Sequence, residues 1–410
     1  MRSNILTPSS RLLLVAIFSC SFLIILANPA PAMEIAKLKA ADAAEDDRLG
    51  THPGLAIDGD TVIVGAQPAN KDFNSSGSGG AAYVFQQDQG GPNNWGEVVE
   101  LAPTLLGGFG NYQSIDGDTA VVAARTAEAG CSIGCWAVYI FERDTGGADN
   151  WGQVKQLISP DASNGRFFGQ SAVLSGDTVF VGETGPAGNI GRVRIFERDE
   201  GGLGNWGFVK TIENPDPADG DQFGISIDGE GDTLVVGASG DSGNKGAIYV
   251  FERNLGDADT WGLRHKRTGT DSAAGDNFSF TSLGLSGDVI VVGSANVGAN
   301  AAYVFERDEG GTDNWGQIKK LTASAADPGD SFGFAVAVDG DLIVSSAVSD
   351  DDDGENRGAA YLFGRDKGGS GNWGEIAKFT PSDIDDVDLF GHSAAISDDL
   401  IVVASQRDDD

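Results

Sequence analysis

The sequence contains few of the residues on which enzymes and metal sites most often depend. Its 410 residues include three histidines, three cysteines and two methionines. A structural zinc site takes four Cys or His ligands. The chain also has no His-Glu-x-x-His motif, phosphate-binding glycine loop or Ser–His–Asp order. These absences argue against a zinc protein and against a nucleotide-binding protein, and we expect no cofactor.

Positive charge is scarce as well. The chain has 27 Lys and Arg residues against 61 Asp and Glu residues, which gives a formal net charge of −34. A surface this acidic repels the phosphates of nucleic acids and of anionic lipids. We therefore expect a soluble, monomeric protein that has neither nucleic acid nor a membrane as a partner.

Long apolar runs are confined to the N-terminus. Arg2 and Arg11 precede an apolar stretch over residues 12–27, and Ala30-Pro31-Ala32 follows it. This pattern is typical of a secretory signal with its cleavage site. The stretch is short for a membrane span, which favours a signal peptide. An uncleaved membrane anchor is the alternative. We predict a signal peptide over residues 1–32 and a mature protein that is secreted, periplasmic or at the cell surface.

Two of the three cysteines lie beyond this segment. Cys131 and Cys135 are four positions apart in a loop of the second repeat. Exported proteins fold in an oxidising compartment, where nearby thiols form disulfides. We predict a bond between Cys131 and Cys135.

One motif recurs along the rest of the chain at intervals of about 55 residues. It reads Asn-Trp-Gly or nearly so, and its tryptophans are Trp95, Trp151, Trp206, Trp261, Trp315 and Trp373. A fixed period of this length indicates tandem copies of one structural unit. We interpret the tryptophans as packing anchors, with stacking on carbohydrate as the alternative.

Each copy contains four short apolar runs. In the sixth copy these are residues 332–338, 342–347, 359–363 and 373–379, all of strand length. Asp-Gly or Ser-Gly turns separate the first two runs, and a longer glycine-containing hairpin joins the last two. The pattern predicts four-stranded antiparallel sheets. Sheets of this kind bury both faces when they are arranged radially as a β-propeller, and a solenoid is the competing arrangement.

Counting first strands gives seven. The seventh hairpin, at residues 397–399, is degenerate, and the chain ends before a third strand of that copy. Residues 34–38 repeat the fourth-strand sequence of residues 375–379. We therefore predict an all-β protein whose residues 33–410 form a seven-bladed propeller of six full repeats and a partial seventh, the last blade being incomplete and closed by the N-terminal strand. Either the gene product is truncated or the ring is imperfectly closed.

The repeats resemble the FG-GAP family, whose blades occur in integrin α chains and in secreted microbial proteins. Phe-Gly stands at Phe109-Gly110, Phe168-Gly169, Phe223-Gly224, Phe332-Gly333 and Phe390-Gly391, and Gly-Ala at Gly65-Ala66 and Gly237-Ala238. The resemblance covers the chain after residue 33. It implies a propeller that binds a partner on the face carrying the loops between second and third strands.

Many members of the family bind calcium in a loop between the first and second strands, where this chain has only a two-residue turn. Calcium needs six to eight oxygen ligands, for which such a turn has no room. The nearest candidate is the acidic run before Gly354, in which Asp351 and Asp353 are the candidate ligands. A solvated acidic loop is the alternative.

Function is expected where the copies differ, because variable loops on a rigid scaffold carry recognition. The candidate ligand-binding residues in these loops are Asn70, Lys71, Asp72, Asp350, Asp351, Asp352 and Asp353. We expect no enzyme but a recognition or adhesion module for an extracellular protein or glycan. A structural envelope protein is the second hypothesis. A propeller hydrolase or lyase is the third, with His52 and His392 as the residues that could meet in the channel.

Overall fold

The structure is a computed structural model. It describes residues 12–17, 22–27, 33–41, 47–50, 54–68, 80–89, 91–92, 94–101, 107–126, 135–161, 166–185, 189–295, 300–352, 354–381 and 385–406. Within these ranges the chain forms sheets in which the strands are antiparallel apart from one pair near the two ends of the chain, and the strand bounds follow the repeat.

Three blades come from the first three repeats. The N-terminal segment supplies β1 (Leu12–Ile17), β2 (Phe22–Ala27) and β3 (Met33–Ala36). Blade 1 has β4 (Asp47–Leu49), β5 (Leu55–Asp58), β6 (Thr61–Pro68), β7 (Ala81–Gln87) and β8 (Trp95–Leu101), with β4 and β5 both paired to β6. Blade 2 has β9 (Gly107–Asp116), β10 (Thr119–Thr126), β11 (Cys135–Glu142) and β12 (Gly152–Leu157). Blade 3 has β13 (Phe167–Ser175), β14 (Thr178–Thr184), β15 (Arg192–Arg198) and β16 (Trp206–Glu213).

The next three repeats give three more blades. Blade 4 has β17 (Phe223–Glu230), β18 (Thr233–Ala238), the short helix α1 (Asp241–Asn244), β19 (Ala247–Arg253) and β20 (Trp261–Arg267). Blade 5 has β21 (Leu283–Ser286), β22 (Val289–Ser294), β23 (Ala301–Glu306) and β24 (Gly316–Leu321). Blade 6 has β25 (Phe332–Asp339), β26 (Leu342–Ala347), β27 (Ala359–Gly364) and β28 (Gly374–Phe379). The strand pattern predicted for the sixth copy is confirmed.

The two ends of the chain meet in one further sheet. The hairpin of β29 (Phe390–Ser397) and β30 (Leu400–Ser405) belongs to a five-stranded sheet with the order β29-β30-β1-β2-β3, here called the terminal sheet. β1 lies parallel to β30, whereas β2 and β3 continue antiparallel.

The prediction of a seven-bladed propeller with an incomplete last blade is therefore wrong. The repeats build six complete blades, and the C-terminal hairpin is not a seventh blade that lacks a strand. Its open edge is covered by three N-terminal strands rather than by residues 34–38 alone. Residues 12–17 and 22–27, which fall in the predicted signal peptide, form β1 and β2 and pair with the edge of β30 that would otherwise be uncovered.

Hydrophobic clusters between neighbouring sheets hold the ring together. Blade 6 shares one cluster with β29 and β30, and blade 1 shares another with β30. The five interfaces between consecutive blades each have a cluster of their own. The second strands are apolar because both of their faces are covered; every residue of β14 and of β18 is buried. The ring therefore closes through the terminal sheet.

The turns between first and second strands are bonded to one another around the ring. Each has a residue with positive φ, a glycine near +55° in the six blades and Asp398 in the terminal sheet. The backbone N–H of that residue donates to the side chain that begins the preceding turn. The donor–acceptor pairs are Gly59–Ser397, Gly117–Asp58, Gly176–Asp116, Gly231–Ser175, Gly287–Glu230, Gly340–Ser286 and Asp398–Asp339. The seven bonds form a closed circle.

Candidate ligand sites on the two faces of the ring

The antiparallel order gives the ring two different faces. The face with the turns between first and second strands and between third and fourth strands is here called the hairpin face. The opposite face carries the loops between second and third strands and is called the loop face. Of the predicted site residues, Asn70, Lys71, Asp72 and Asp353 lie outside the described residues, as do Cys131 and His52. The predicted disulfide of Cys131 with Cys135 stays a prediction.

The acidic loop of blade 6 is held by protein contacts. The hydroxyl of Tyr361 donates to Asp350 Oδ2 at 2.8 Å, and Lys378 Nζ lies 2.9 Å from the same oxygen. Lys378 also contacts Asp352 at 2.7 Å, whereas Asp351 is exposed. Burial alone would lower the pKa of Lys378, but the hydrogen bonds from its amine to Asp352 and Asp350 outweigh this and raise it. Asp350 and Asp352 thus already have a positive partner.

Related arrangements recur in two other blades. In blade 4, Asp241 accepts from Tyr249 and Lys266, and in blade 5, Asp271 accepts from Tyr303 and Lys320. Burial opposes ionisation of Asp241, but hydrogen bonds from Lys266, Ser242 and Tyr249 leave its pKa lowered. Recurrence indicates a structural role for Asp350. Among the described residues no group of three or more His, Cys, Asp or Glu side chains is placed to hold a metal ion, and calcium at Asp351 and Asp353 stays a prediction.

Blade 3 has a different polar cluster on this face. Arg194 occupies the position where the other blades have tyrosine, and it bonds Glu183, whose side chain is fully buried. Arg192 bonds both Glu183 and Asp161. Burial would raise the pKa of Glu183, but the two arginines outweigh it and lower the pKa. The charges of the two arginines balance those of Glu183 and Asp161. The cluster therefore links strands of blade 3 and has no unbalanced charge that would attract a ligand.

An aromatic pair on the loop face was missed by the sequence analysis. Trp136 and Phe167 meet edge to face with ring centroids 5.8 Å apart. Phe167 is 37% exposed, and Trp136 is half-buried against the cluster between blades 2 and 3. The sequence does distinguish Trp136, because it is the one tryptophan outside the repeated Asn-Trp-Gly motif.

More aromatic side chains follow the Phe-Gly pairs or, in blade 5, Phe278-Ser279, near the loop-face end of the first strands. Phe280 is 46% exposed. The rings of Phe334 in blade 6 and His392 in the terminal sheet lie 5.1 Å apart. The predicted meeting of His392 with His52 is untested, since His52 lies outside the described residues.

The first strands line a central cavity of 260 Å³. All six blades and the terminal sheet contribute, mostly with the residues just before the hairpin-face turns, such as Ile57, Ile115 and Ile396. The repeated motif places small or apolar residues here, and Asp228 is the one charged residue among the lining residues that the structure describes. The lining therefore combines aliphatic side chains with hydroxyl groups such as those of Ser114, Ser282 and Ser393, and with a single carboxyl group.

The environment of Asp228 favours its neutral form. The backbone N–H of Leu285 donates to Oδ2 at 2.7 Å and that of Gly229 to Oδ1 at 2.8 Å. The Asp228 side chain is half-buried: it is packed within the protein but borders the cavity. Burial raises the pKa of Asp228 to about 7; the charge of Glu230 adds to the rise, while the two N–H bonds oppose it. Burial, together with the charge of Asp228, also raises the pKa of the Tyr112 hydroxyl.

Gln113 is the other unusual residue of the cavity wall. Its side chain is 3% exposed, and neither its amide nitrogen nor its amide oxygen has a hydrogen-bond partner in the structure. Buried amides without partners are rare because they lose hydration without compensation. Other copies have apolar residues at this position, among them Leu55, Ile227 and Val336.

Several solved structures are similar to this chain. Periplasmic gluconolactonase from Pseudomonas aeruginosa, PpgL, is 15% identical with a TM-score of 0.59, and the alignment covers 92% of this chain and 98% of that one. The dihydro-heme d1 dehydrogenase NirN has a TM-score of 0.48 at 12% identity, with 94% and 76% coverage. Acylaminoacyl peptidase from Pyrococcus horikoshii has a TM-score of 0.44 at 10% identity, with coverage of 90% of this chain and 52% of that chain. No curated protein sequence matches the chain.

The expectation that the protein is not an enzyme is wrong. The expectation rested on the absence of recognisable catalytic motifs in a propeller, but a gluconolactonase has the same fold. Identity of 15% establishes a shared fold, not a shared activity. Enzymatic function is therefore open for this chain.

Family comparison agrees with the repeat pattern. The FG-GAP repeat family matches residues 32–85, 206–251, 315–363 and 373–410. These matches lie near both ends and in the middle of the chain, and each covers strands of at least one sheet. The chain belongs to the FG-GAP repeat proteins and folds as a β-propeller.

Proposed function

We propose that the protein is an exported recognition protein that binds a neutral glycan on its loop face. The observation that carries this proposal is the aromatic pair of half-buried Trp136 and exposed Phe167. In the sequence, Trp136 closely follows residues 127–134, one of the segments that differ most between copies. An exposed aromatic surface next to polar groups is a common basis of ligand recognition.

Charge favours a neutral ligand. The net charge of −34 repels polyanions, including acidic polysaccharides. A neutral sugar meets no such barrier, and its C–H faces pack on aromatic rings while polar side chains bond its hydroxyls. The exposed Arg166 directly precedes Phe167, and Gln170 follows it three residues later.

Export is part of the proposal. The N-terminal pattern predicts it, and a periplasmic protein of the same fold agrees with it. Among the described residues, no helix has the length and apolar character needed to cross a membrane.

The test is retention of the purified protein on cellulose, chitin and starch. We expect Trp136→Ala and Phe167→Ala to lower retention about tenfold, the usual effect of losing an aromatic anchor. Leu203→Ala is the matched control, because Leu203 is 96% exposed in a hairpin of the opposite face. Equal retention of wild type and Trp136→Ala would remove the proposed surface. Retention on an immobilised protein but on no polysaccharide would show that the partner class is wrong.

A further inference from the structure

One strand edge of the ring is paired with a segment that export would remove. In each of the six blades a single third strand lies between the second strand and the fourth. In the terminal sheet the corresponding edge of β30, here called the acceptor edge, is paired with β1 along residues 13–17 and with β2 at Leu23. Both strands fall within residues 1–32, the predicted signal peptide. Their removal is part of the proposed export, on which this inference rests.

The segment that follows the predicted signal peptide lies where the other blades have the end of a fourth strand. Leu38 is 6% exposed, in the cluster shared by β30 and blade 1. The backbone N–H of Ala41 donates to Glu97 Oε2 at 2.7 Å. Blades 4 and 5 make the same bond at the ends of their fourth strands; the donor–acceptor pairs are Thr270–Gln317 and Ser324–Glu375. Residues 38–41 therefore form an outer wall that cleavage after residue 32 would leave in place.

The register of β2 shows which kind of strand the acceptor edge takes. In every blade the pairing of the third strand with the fourth shifts at one point, which in blade 6 lies between Leu362 and Phe363. The pairing of β2 with β3 shifts at the equivalent point. Leu23 of β2 stands opposite Val403, which is the place that Tyr361 takes in blade 6. The acceptor edge is therefore paired in the register of a third strand.

The third strands of the blades show which side chains fit this position. In five blades the third strand reads Ala-x-Tyr-x-Phe, with an aliphatic residue at each x. In blade 6, Tyr361 and Phe363 lie in the cluster shared with blade 5, whereas Ala360 and Leu362 lie in the cluster shared with the terminal sheet. The two faces of a third strand thus pack on different neighbours. A strand on the acceptor edge would direct its aromatic side chains toward blade 6 and its aliphatic side chains toward blade 1.

We propose that the processed protein binds an extended segment of another protein along the acceptor edge, and that this segment carries the pattern Ala-x-Tyr-x-Phe. When a strand is added to a sheet edge, backbone hydrogen bonds give the affinity and pockets for alternate side chains give the selectivity. Here β30 supplies the backbone groups, and blade 6, blade 1 and residues 38–41 surround the added strand. The site uses neither Trp136 nor Phe167.

The experiment compares two forms of the protein. One is the exported protein, purified after processing, with its first residue determined by mass spectrometry. The other is the full chain of 410 residues, produced without export so that it keeps β1 and β2. The probe is a fluorescent peptide with the sequence of residues 301–307, and binding is measured by fluorescence anisotropy. We expect the processed protein to bind the peptide about tenfold more tightly than the full chain, in which the acceptor edge is occupied.

Control peptides test strand pairing. A scrambled peptide keeps the composition but loses the alternation, and a peptide with Val304→Pro cannot complete the ladder of hydrogen bonds. Both should bind about tenfold more weakly than the probe or not at all. Hydrogen exchange locates the site, because the amides of β30 should exchange faster in the processed protein than in the full chain and regain protection when the peptide is added.

A matched pair of protein variants tests the outer wall. Glu97→Ala removes the acceptor of the Ala41 N–H and should weaken binding of the peptide about fivefold, the usual value of one hydrogen bond. Glu375→Ala removes the equivalent acceptor of Ser324 between blades 5 and 6 and should leave the affinity unchanged. Equal effects of the two variants would contradict the assigned site. Thermal melting establishes that each variant folds.

The proposal is overturned if the exported protein keeps residues 1–32, if the processed protein does not bind the peptide, or if the two forms or the probe and the scrambled peptide bind equally. It is also overturned if β30 is already protected in the processed protein without peptide, since β3 or a second copy then occupies the edge. Glycan retention is measured with Trp136 variants of the same processed protein. Failure of one proposal is therefore distinguishable from failure of the other.

Discussion

Arg198 stacks on Trp206, with its guanidinium carbon 4.6 Å from the indole centroid. The same guanidinium bonds Asp177 in its own blade and reaches Glu142 and Thr119 in the preceding blade. Similar stacking occurs for Arg143 on Trp151, Arg307 on Trp315 and Arg365 on Trp373. The recurring arginine therefore fastens the buried tryptophan of one blade to the blade before it.

Replacing this arginine should loosen the joint between blades 2 and 3. We expect Arg198→Ala to lower the free energy of unfolding by about 1–3 kcal/mol, from a cation–π contact and partly exposed ion pairs. Thermal unfolding measures the loss. Arg166→Ala, at an exposed arginine of the same blade, is the control and should change the midpoint little. Equal effects of the two variants would contradict the role assigned to Arg198.

The glycine in the turn between β13 and β14 is needed for its backbone conformation and not for lack of space. Gly176 has φ of +54°, and a Cβ atom added there would have no atom within 4 Å. Gly176→Ala should therefore cost about 1–2 kcal/mol through the left-handed backbone, without a steric clash. Gly176→Asn should cost less, because asparagine tolerates this region. Denaturant unfolding of the two variants gives the comparison, and an equal or greater cost for asparagine would contradict the backbone explanation.

The buried ion cluster of blade 3 should respond strongly to loss of its central carboxylate. Glu183→Gln leaves Arg192 and Arg194 without their buried counter-charge, which typically costs about 3–5 kcal/mol. In wild type the pKa of Glu183 is lowered on folding, so this stabilisation is present above the unfolded pKa and is lost as pH falls through the folded one. Thermal unfolding at acidic pH should accordingly narrow the gap between wild type and Glu183→Gln. A gap that stays constant with pH would contradict the charge argument.

Asp228 should have the opposite pH dependence. Its folded pKa of about 7 lies above the ordinary aspartate value, so the folded state holds the proton more tightly than the unfolded chain. Its contribution to stability is complete below the unfolded pKa and is lost as pH rises through about 7. Asp228→Asn cannot ionise, so its melting temperature should gain on that of wild type between about pH 4 and pH 8. Parallel profiles for Asp228→Asn and wild type would show that the carboxyl is not perturbed.

The repeat architecture was predictable because the same sequence motifs recur in every copy. Asp-Gly and Ser-Gly turns, Phe-Gly entries and the Asn-Trp-Gly motif each gave the same four-stranded unit, and the structure confirms it. The terminal sheet was not predictable, since an apolar stretch before Ala30-Pro31-Ala32 has the features of a signal peptide as well as those of strands. The position of Asp228 in the cavity was not predictable either, because the chain has 61 acidic residues. Asp228 differs from the others only in replacing the small residues of other copies, such as Ala56 and Gly284.

The bond from the Gly59 N–H to Ser397 makes the last turn of the chain a neighbour of the first. Every turn in the circle gives one hydrogen bond and receives one, so no blade is mechanically an end. The first and last strands that the structure describes, β1 and β30, lie side by side and parallel in the terminal sheet, so an engineered linker between the two ends of the chain would run back along about one strand length. Circularly permuted versions, opened in the loop of residues 69–79 or of residues 296–299, would then keep the same toroid while moving the free ends to another blade.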